Sequence, residues 1–254
     1  MKIIRYAHQT GTSYGVLKNG RVLPIRGDIF SDFRTEEENP AALEQLKILP
    51  PVTPTKIIAV GINYRDHAQE FDHHIPEEPV LFMKPPTAVI GPGDAILLPP
   101  SSKRVDYEAE LAAVVKKEAH KISGGEAEDY ILGYTCLNDV TARDLQRKDG
   151  QWTRAKSFNT FCPIGPVIET ELDPKSVNVR SRLNGGEKQF SNTRNFIFPM
   201  FFLLSFVSSI MKLNPGDIIA TGTPSGVGPM KDGDIVEIEV EGIGVLRNPV
   251  HSDE

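Results

Sequence analysis

A β-rich α+β fold is predicted by three features of the chain. Short apolar or alternating segments recur along its length. They are separated by turn residues, the 254-residue sequence holding 20 prolines and 21 glycines. The one long apolar run, Phe198 to Met211, contains Pro199 and three serines and is too short to span a membrane, so it reads as a buried helix. A chain of this length can bury a large core as one sizeable domain, with or without a small appendage. Its 39% apolar and 24% charged residues are ordinary for a globular protein and argue against disorder. A net charge of −6, with no basic run at either end, argues against a nucleic-acid partner. Cys136 and Cys162 form no disulfide framework, which points to a reducing compartment. Met1 to Arg5 lack the apolar core of a signal peptide, so a cytoplasmic location is expected, with no membrane association.

Taken in order, Lys2 to Ile25 read as short strands, with Asn19-Gly20 as the turn of a tight hairpin. Asp28 to Leu49 turns polar, with acids at Glu36-Glu37-Glu38 and a short helix, until Pro50, Pro51 and Pro54 mark a boundary. The reading is a small N-terminal β module over residues 1–50 and a main domain over 51–254. Lys56 to Gly61 reads as a buried strand, and Asn63 is placed to cap a helix carrying His67 and Glu70. Three apart on one helix face, the carboxylate can orient the imidazole for proton abstraction. In isolation the pair equally describes a surface histidine beside an incidental acid. Phe71 to Pro79, charged and rich in histidine, reads as a lid or a solvated loop.

Arg104 to Val115 reads as a strand that carries two acids into an apolar setting. Side chains alternate along a strand, so Glu108 and Glu110 point the same way as Ala112 and Val114. Like charges so placed on a half-buried strand repel and lose hydration unless a cation sits between them, and a divalent ion is the simplest one. The alternative is a solvated face. Tyr130 to Leu137 returns as a strand ending at Asn138-Asp139, where Asp139 is either a third ligand or a routine turn aspartate. Thr141 and Asp144 resemble a capping box, opening a helix that presents Arg143, Gln146 and Arg147. Lys156 is either an anion binder or a surface residue.

Further on, Asn184-Gly185-Gly186 marks a hairpin turn, and Asp217 to Ala220 is a short strand. That strand feeds Thr221 to Pro229, whose amides and hydroxyls could cradle a carboxylate or merely form a tight turn. Asp234 to Val250 reads as a closing hairpin. Its acids, Glu237, Glu239 and Glu241, form a rival cation site that is better taken as a solvated, protective sheet edge.

Together, Gly61 to Glu70, Asp106 to Leu111, Asn138 to Gln146 and Thr221 to Gly228 resemble the fumarylacetoacetate hydrolase family, and Lys156-Ser157-Phe158 with Phe161 to Pro166 is similar as well. The resemblance runs from about Lys56 to Pro249. The N-terminal module is similar to that of short bacterial members and their mitochondrial relatives. The resemblance implies a mixed β-roll core, usually in homodimers, and Mg²⁺ or Mn²⁺ held by Glu108, Glu110 and Asp139. It implies that His67 and Glu70 activate water, that Lys156 stabilises developing negative charge, and that Arg143, Gln146 and Thr223 contact substrate. The implied chemistry is enolate formation from a 2-oxo acid. Hydrolysis of a C–C bond in an acylpyruvate uses His67, Glu70 and Lys156 together and is the favoured expectation. A hydroxyheptadienedioate isomerase of aromatic catabolism and an oxaloacetate decarboxylase or tautomerase are the alternatives. From another class, a non-catalytic metal-stabilised interaction module would keep the fold without binding a 2-oxo acid, and a structural Ca²⁺ site would prefer Ca²⁺ over Mg²⁺.

Overall fold

The structure is a computed structural model that describes residues 1–9, 11–36, 40–65 and 75–253. Most of it is β-sheet. A 13-stranded sheet follows the order Phe33–Thr35, Arg21–Gly27, Gly11–Lys18, Lys2–His8, Cys162–Glu169, Ile131–Asn138, Ala109–Val115, Ile218–Ala220, Ile57–Val60, Leu81–Lys84, with three short strands off this path. A 5-stranded sheet runs Ile96–Leu98, Gly244–Ser252, Ile235–Val240, Asn178–Leu183, Gly186–Asn192, and a 3-stranded one joins Thr141–Ala142, Val105–Tyr107 and Gly228–Pro229. The large sheet is mixed: Ile57–Val60 runs parallel to Ile218–Ala220, whereas Ala109–Val115 is antiparallel to both of its neighbours. This is the β-rich fold, with a mixed β-roll core, that the sequence predicts.

Local chemistry accounts for the strands. Asn19 and Gly20 both have positive φ, 51° and 73°, as a two-residue hairpin turn requires, and Lys18 faces Arg21 across it. Every residue of Ala109–Val115 is buried. Ala109, Leu111 and Ala113 pack into one apolar cluster, while Ala112 and Val114 pack into another on the opposite face. A strand covered on both faces needs small and branched apolar side chains throughout, which is what this run supplies. Asp217, at the entry to Ile218–Ala220, ties two parallel strands together. Its carboxylate accepts from the amides of Thr55 (2.9 Å), Lys56 (3.1 Å) and Asn214 (2.8 Å) and from Thr55 Oγ1 (2.7 Å), and it pairs with Lys56 Nζ at 2.5 Å. Burial pushes this carboxyl up, but Lys56 and the converging donors outweigh it and hold it below the ordinary aspartate range.

Four local expectations are corrected. The helix expected within residues 28–49 is, among the described residues, a 3₁₀ turn at Leu43–Gln45 between short strands. There Phe33–Thr35 and Ala41–Ala42 both pair with Arg21–Gly27, so an open sheet edge overrides helix propensity. Lys2–His8 in turn pairs with Cys162–Glu169, which joins the N-terminal strands to the main sheet. The capping box is not formed: Ala142 is the N-cap of the Arg143–Asp149 helix, Thr141 Oγ1 donates to Asp139 O, and Asp144 accepts from Ser102 Oγ and Lys103 N. The tail acids do not line an edge. Ile235–Val240 lies between two strands of its sheet, with Glu237 paired to Arg247 and Glu239 to Arg182. Finally, the Met200–Ile210 helix buries Leu203, Leu204 and Val207 but leaves Phe202 46% and Ile210 57% exposed, so it is buried on one face only. Among the described residues no helix is long and apolar enough to cross a membrane. Cys136 and Cys162 are separate, buried thiols.

Candidate metal centre and active site

Three strand ends build the site. Glu108 is the single residue between Val105–Tyr107 and Ala109–Val115, where the chain passes from the small sheet into the large one. Its amide donates to Asn138 Oδ1 (2.9 Å), and its carbonyl accepts from the Asp139 amide (2.9 Å). Because Ala109 and Asn138 are paired in register, Glu108 and Asp139 fall side by side just beyond the ladder. Glu110 is one step inside it, and its Oε2 accepts from the Gly222 amide at 2.9 Å. One oxygen from each of Glu108, Glu110 and Asp139 lies within 4.8 Å of the others, and all three residues are buried.

Cations surround this cluster. Lys156 closes the short Thr153–Lys156 helix and is 2% exposed; its Nζ donates to Glu108 Oε2 at 2.9 Å and to Asp139 Oδ2 at 2.5 Å. Lys84 ends the Leu81–Lys84 strand and donates to Asp139 Oδ1 at 2.5 Å and to Val140 O at 3.2 Å. Arg143, the first residue of its helix, spreads its guanidinium over Asp106 Oδ2 (2.9 Å), Gln146 Oε1 (2.7 Å) and Glu108 Oε1. Asp106 is shared with Arg104. Burial alone would raise the Glu108 carboxyl, but Lys156 and Arg143 hold it far below the usual carboxylate range. Burial also disfavours the Lys156 ammonium. Asp139 and Glu108 outweigh that and push its pKa up, so the side chain stays charged. Glu110 goes the other way: burial first, then the charges of Asp139 and Glu108, raise its carboxyl well above the ordinary glutamate range.

The donor set fits a small, hard divalent cation. It is all carboxylate oxygen, and Glu110 presents a buried acid whose one bonded partner among the described residues is a backbone amide. A buried carboxylate without a cation in contact is costly, and a metal ion is the compensating charge that this geometry accommodates.

Residues 56–251 match the family described as Fumarylacetoacetate (FAA) hydrolase C-terminal, and residues 1–51 match the one described as Rv2993c-like, N-terminal. The chain belongs to the fumarylacetoacetate hydrolase family. An uncharacterized protein of Archaeoglobus fulgidus is 57% identical over 230 residues, covering 91% of this chain and 92% of its own length. The mitochondrial oxaloacetate tautomerase Fahd2a of Rattus norvegicus is 43% identical over 218 residues, covering 81% of this chain and 70% of its own. The crystal structure of a 5-carboxymethyl-2-hydroxymuconate delta-isomerase from Mycobacterium smegmatis superposes with a TM-score of 0.93 at 42% identity, over 100% of both chains.

For this member of the fumarylacetoacetate hydrolase family, the structure brings Glu108, Asp139, Lys156, Arg143 and Gln146 into one bonded group, with the Glu110 carboxylate within 4.8 Å of those of Glu108 and Asp139. His67 and Glu70 lie outside the described residues. Thr223 is adjacent but already engaged: its hydroxyl donates to Ala109 O (2.9 Å) and accepts from Gln189 Nε2 (2.8 Å), leaving one lone pair for a ligand. From the Thr221–Pro229 loop one amide, that of Gly222, donates to a carboxylate, that of Glu110, while the Thr221 and Thr223 hydroxyls donate to the carbonyls of Leu111 and Ala109. Sequence reasoning passed over Lys84 and Gln189. Lys84 closes the apolar Val80-Leu81-Phe82-Met83 run and is 1% exposed, a burial that its bonds to Asp139 and the Val140 carbonyl compensate. A cavity of about 580 Å³ flanks that strand, lined by Lys56, Phe82, Lys84 and Trp152 but by none of the three carboxylates. Phe82, whose ring centroid is 4.9 Å from Lys156 Nζ, stands between this cavity and the site.

Proposed function

We propose that the chain is a divalent-metal-dependent enzyme that moves a proton at the carbon beside the carbonyl of a 2-oxo dicarboxylic acid, as a tautomerase or isomerase. The observation that carries this reading is the clustering of three buried carboxylates within 4.8 Å of one another, two of which, Glu108 and Asp139, are bonded to the Lys156 ammonium. Glu108, Glu110 and Asp139 would hold Mg²⁺ or Mn²⁺, which when bound supplies Lewis-acid polarisation of the substrate's carboxylate and 2-oxo oxygens. Lys156, bonded to Glu108 and Asp139, would set a fixed positive charge beside the developing enolate oxygen. Arg143 and Gln146, bonded to each other beside Glu108, would orient a distal carboxylate, and the remaining lone pair of the Thr223 hydroxyl would accept from a substrate hydroxyl. His67, backed by Glu70, is assigned the proton at the reacting carbon. The similarity to an oxaloacetate tautomerase and to a hydroxymuconate isomerase supports this choice of reaction over others of the family.

Hydrolysis of an acylpyruvate C–C bond is the second reading, favoured by the spacing of His67 and Glu70. It draws on the same enolate as leaving group, with His67 taking its proton from water instead of carbon. The deciding experiment supplies oxaloacetate and acetylpyruvate in turn, with Mg²⁺ or with chelator. Keto–enol interconversion of oxaloacetate is followed by absorbance, while pyruvate, acetate and CO₂ are quantified. Metal-dependent interconversion without acetate supports the tautomerase, and acetate with pyruvate replaces it with the hydrolase. CO₂ as the main product makes the chain a decarboxylase, and turnover unaffected by chelator rules out both leading readings. The working unit is taken to be a homodimer in the cytoplasm, which light scattering on the purified chain reads directly for the oligomer.

A further inference from the structure

The three carboxylates share a pattern that their burial alone does not require. Each has one oxygen held from outside the cluster: Asp139 Oδ1 by Lys84 Nζ at 2.5 Å, Glu110 Oε2 by the Gly222 amide at 2.9 Å, and Glu108 Oε1 by Arg143 Nη2. The other oxygens of Glu108 and Asp139 meet at one point, 2.9 and 2.5 Å from Lys156 Nζ. The outer donors are rigidly placed. Lys84 is 1% exposed and is bonded to Val140 O as well, Gly222 is backbone, and Arg143 is braced by Asp106 and Gln146.

A carboxylate whose one oxygen is held off the cluster by a fixed donor is disfavoured from chelating a metal through both oxygens. It would meet the metal through the other, the oxygen that in Glu108 and Asp139 also accepts from Lys156 through one of its lone pairs. Ca²⁺ takes 6–8 oxygen ligands at about 2.3–2.6 Å and often binds carboxylates through both oxygens, whereas Mg²⁺ requires six ligands near 2.0–2.1 Å and keeps several waters. One-oxygen binding from three acids therefore suits the smaller ion. Resting on the metal reading above, we propose that Lys84 is a positioning residue for metal selection: by occupying Asp139 Oδ1 it confines Asp139 to one-oxygen coordination and biases the site toward Mg²⁺ or Mn²⁺ against Ca²⁺. Lys84 acts through Asp139 and touches no substrate in this assignment.

The test is calorimetric titration of Mg²⁺, Mn²⁺ and Ca²⁺ into the full-length, chelator-stripped protein and its Lys84→Met variant, with Lys84→Gln as a second variant that keeps a polar atom but is too short to hold Oδ1. Removing a positive charge raises the attraction for every cation, so the readout is the ratio of Ca²⁺ to Mg²⁺ dissociation constants rather than either constant. Removal of a group that orients a metal ligand changes affinity by about 10–100-fold, and the ratio is expected to fall by at least about tenfold on that scale. A wild-type protein that prefers Ca²⁺ overturns the inference outright, whatever the variants do, as does an unchanged ratio in a folded variant that still binds metal. Absence of any divalent binding by the wild type instead overturns the metal reading on which the inference rests. A thermal melt in chelator identifies which variant is folded and therefore which ratio is read.

Discussion

Replacing Glu110 with Gln should stabilise the metal-free protein while abolishing its response to metal. Glu110 Oε2 has one donor, the Gly222 amide, and its carboxylate lies within 4.8 Å of ligand oxygens on Glu108 and Asp139. At that separation two unit charges in a medium of effective dielectric ~20 repel by about 3.5 kcal/mol, and Glu110 faces two such neighbours. Lys156 returns part of this. Whether Glu110 meets the rest by carrying its charge or by retaining a proton, glutamine relieves it, and its amide hydrogens can donate to the neighbouring carboxylates. A net gain of about 2 kcal/mol is expected on these terms. In a chain of this size about 1 kcal/mol moves Tm by roughly 2–4 °C, so the variant should melt about 4–8 °C above the wild type in chelator. With Mg²⁺ at about 100 times its Kd, the wild type should gain about 2.7 kcal/mol and the variant nothing. The order of the two melting curves therefore inverts between chelator and Mg²⁺. Differential scanning calorimetry at one pH reads both halves. A variant less stable than the wild type in chelator would show that Glu110 is not a poorly compensated acid. A variant that keeps the Mg²⁺ shift would show that it is not a ligand.

Asp217→Asn should cost about 3 kcal/mol, because it leaves the Lys56 ammonium without its partner and three backbone amides competing for one amide oxygen. The Asp217 carboxyl is held below its ordinary value in the folded chain. Its contribution is thus complete above the unfolded value of about 3.9 and is lost as pH falls through the folded one. Urea midpoints for wild type and variant should converge below about pH 4, and a gap that widens there would reverse the assigned sign. Gly222→Ala places a Cβ 3.0 Å from Asn63 Cβ and 3.2 Å from Val60 O at a φ of +90°. It should cost about 1–3 kcal/mol and weaken Mg²⁺ binding by moving the amide off Glu110; unchanged stability and affinity would contradict both claims. His67→Ala should retain the Mg²⁺ shift in Tm and lose about 10²-fold or more of turnover. Decarboxylation needs no proton abstraction from carbon or water, so its survival in this variant would be consistent, whereas surviving tautomerisation would remove His67 from the mechanism.

What the sequence made legible follows from the range over which each signal acts. The Asn19-Gly20 and Asn184-Gly185 turns, and the Ala109–Val115 strand, are set by φ preferences and by alternation over a few residues, and each was readable from its own segment. The acidic pair was readable for the same reason, since strand periodicity alone puts Glu108 and Glu110 on one face. Asp139 needed the register that pairs Ala109 with Asn138, and a residue at the end of a strand carries no mark of its partner. Lys84 meets Asp139 across 55 positions and Gln189 meets Thr223 across 34, so neither contact leaves a local trace. The misreadings have the same origin. Phe33–Thr35 and Ala41–Ala42 form strands because Arg21–Gly27 offers them an edge, and Glu237 and Glu239 are interior because a distant strand, Asn178–Leu183, covers the open side of their hairpin. Thr141 turned away from the capping box because its hydroxyl donates to Asp139 O.

The division between core and periphery explains how one family can host several reactions. The three carboxylates hang on register: a one-residue slip of Ala109–Val115 against Ile131–Asn138 would turn Glu110 out of the cluster and at the same time move Leu111 and Val114 to the wrong faces. Apolar packing and carboxylate placement are therefore fixed by the same pairing, and the proposed capacity to stabilise an enolate would be as hard to lose as the sheet itself. Substrate choice, on the proposed assignment of Arg143 and Gln146, would be built differently. Arg143 and Gln146 sit on a seven-residue helix that is half open to solvent beyond Leu145. Changes there alter which distal group is held without touching the ladder. The fate of the enolate, reprotonation, loss of CO₂ or departure from a hydrolysed carbonyl, then depends on what is brought over the site. Variation among tautomerase, isomerase and hydrolase should accordingly concentrate on that helix and around His67, with Glu108, Glu110 and Asp139 held constant by the strands that carry them.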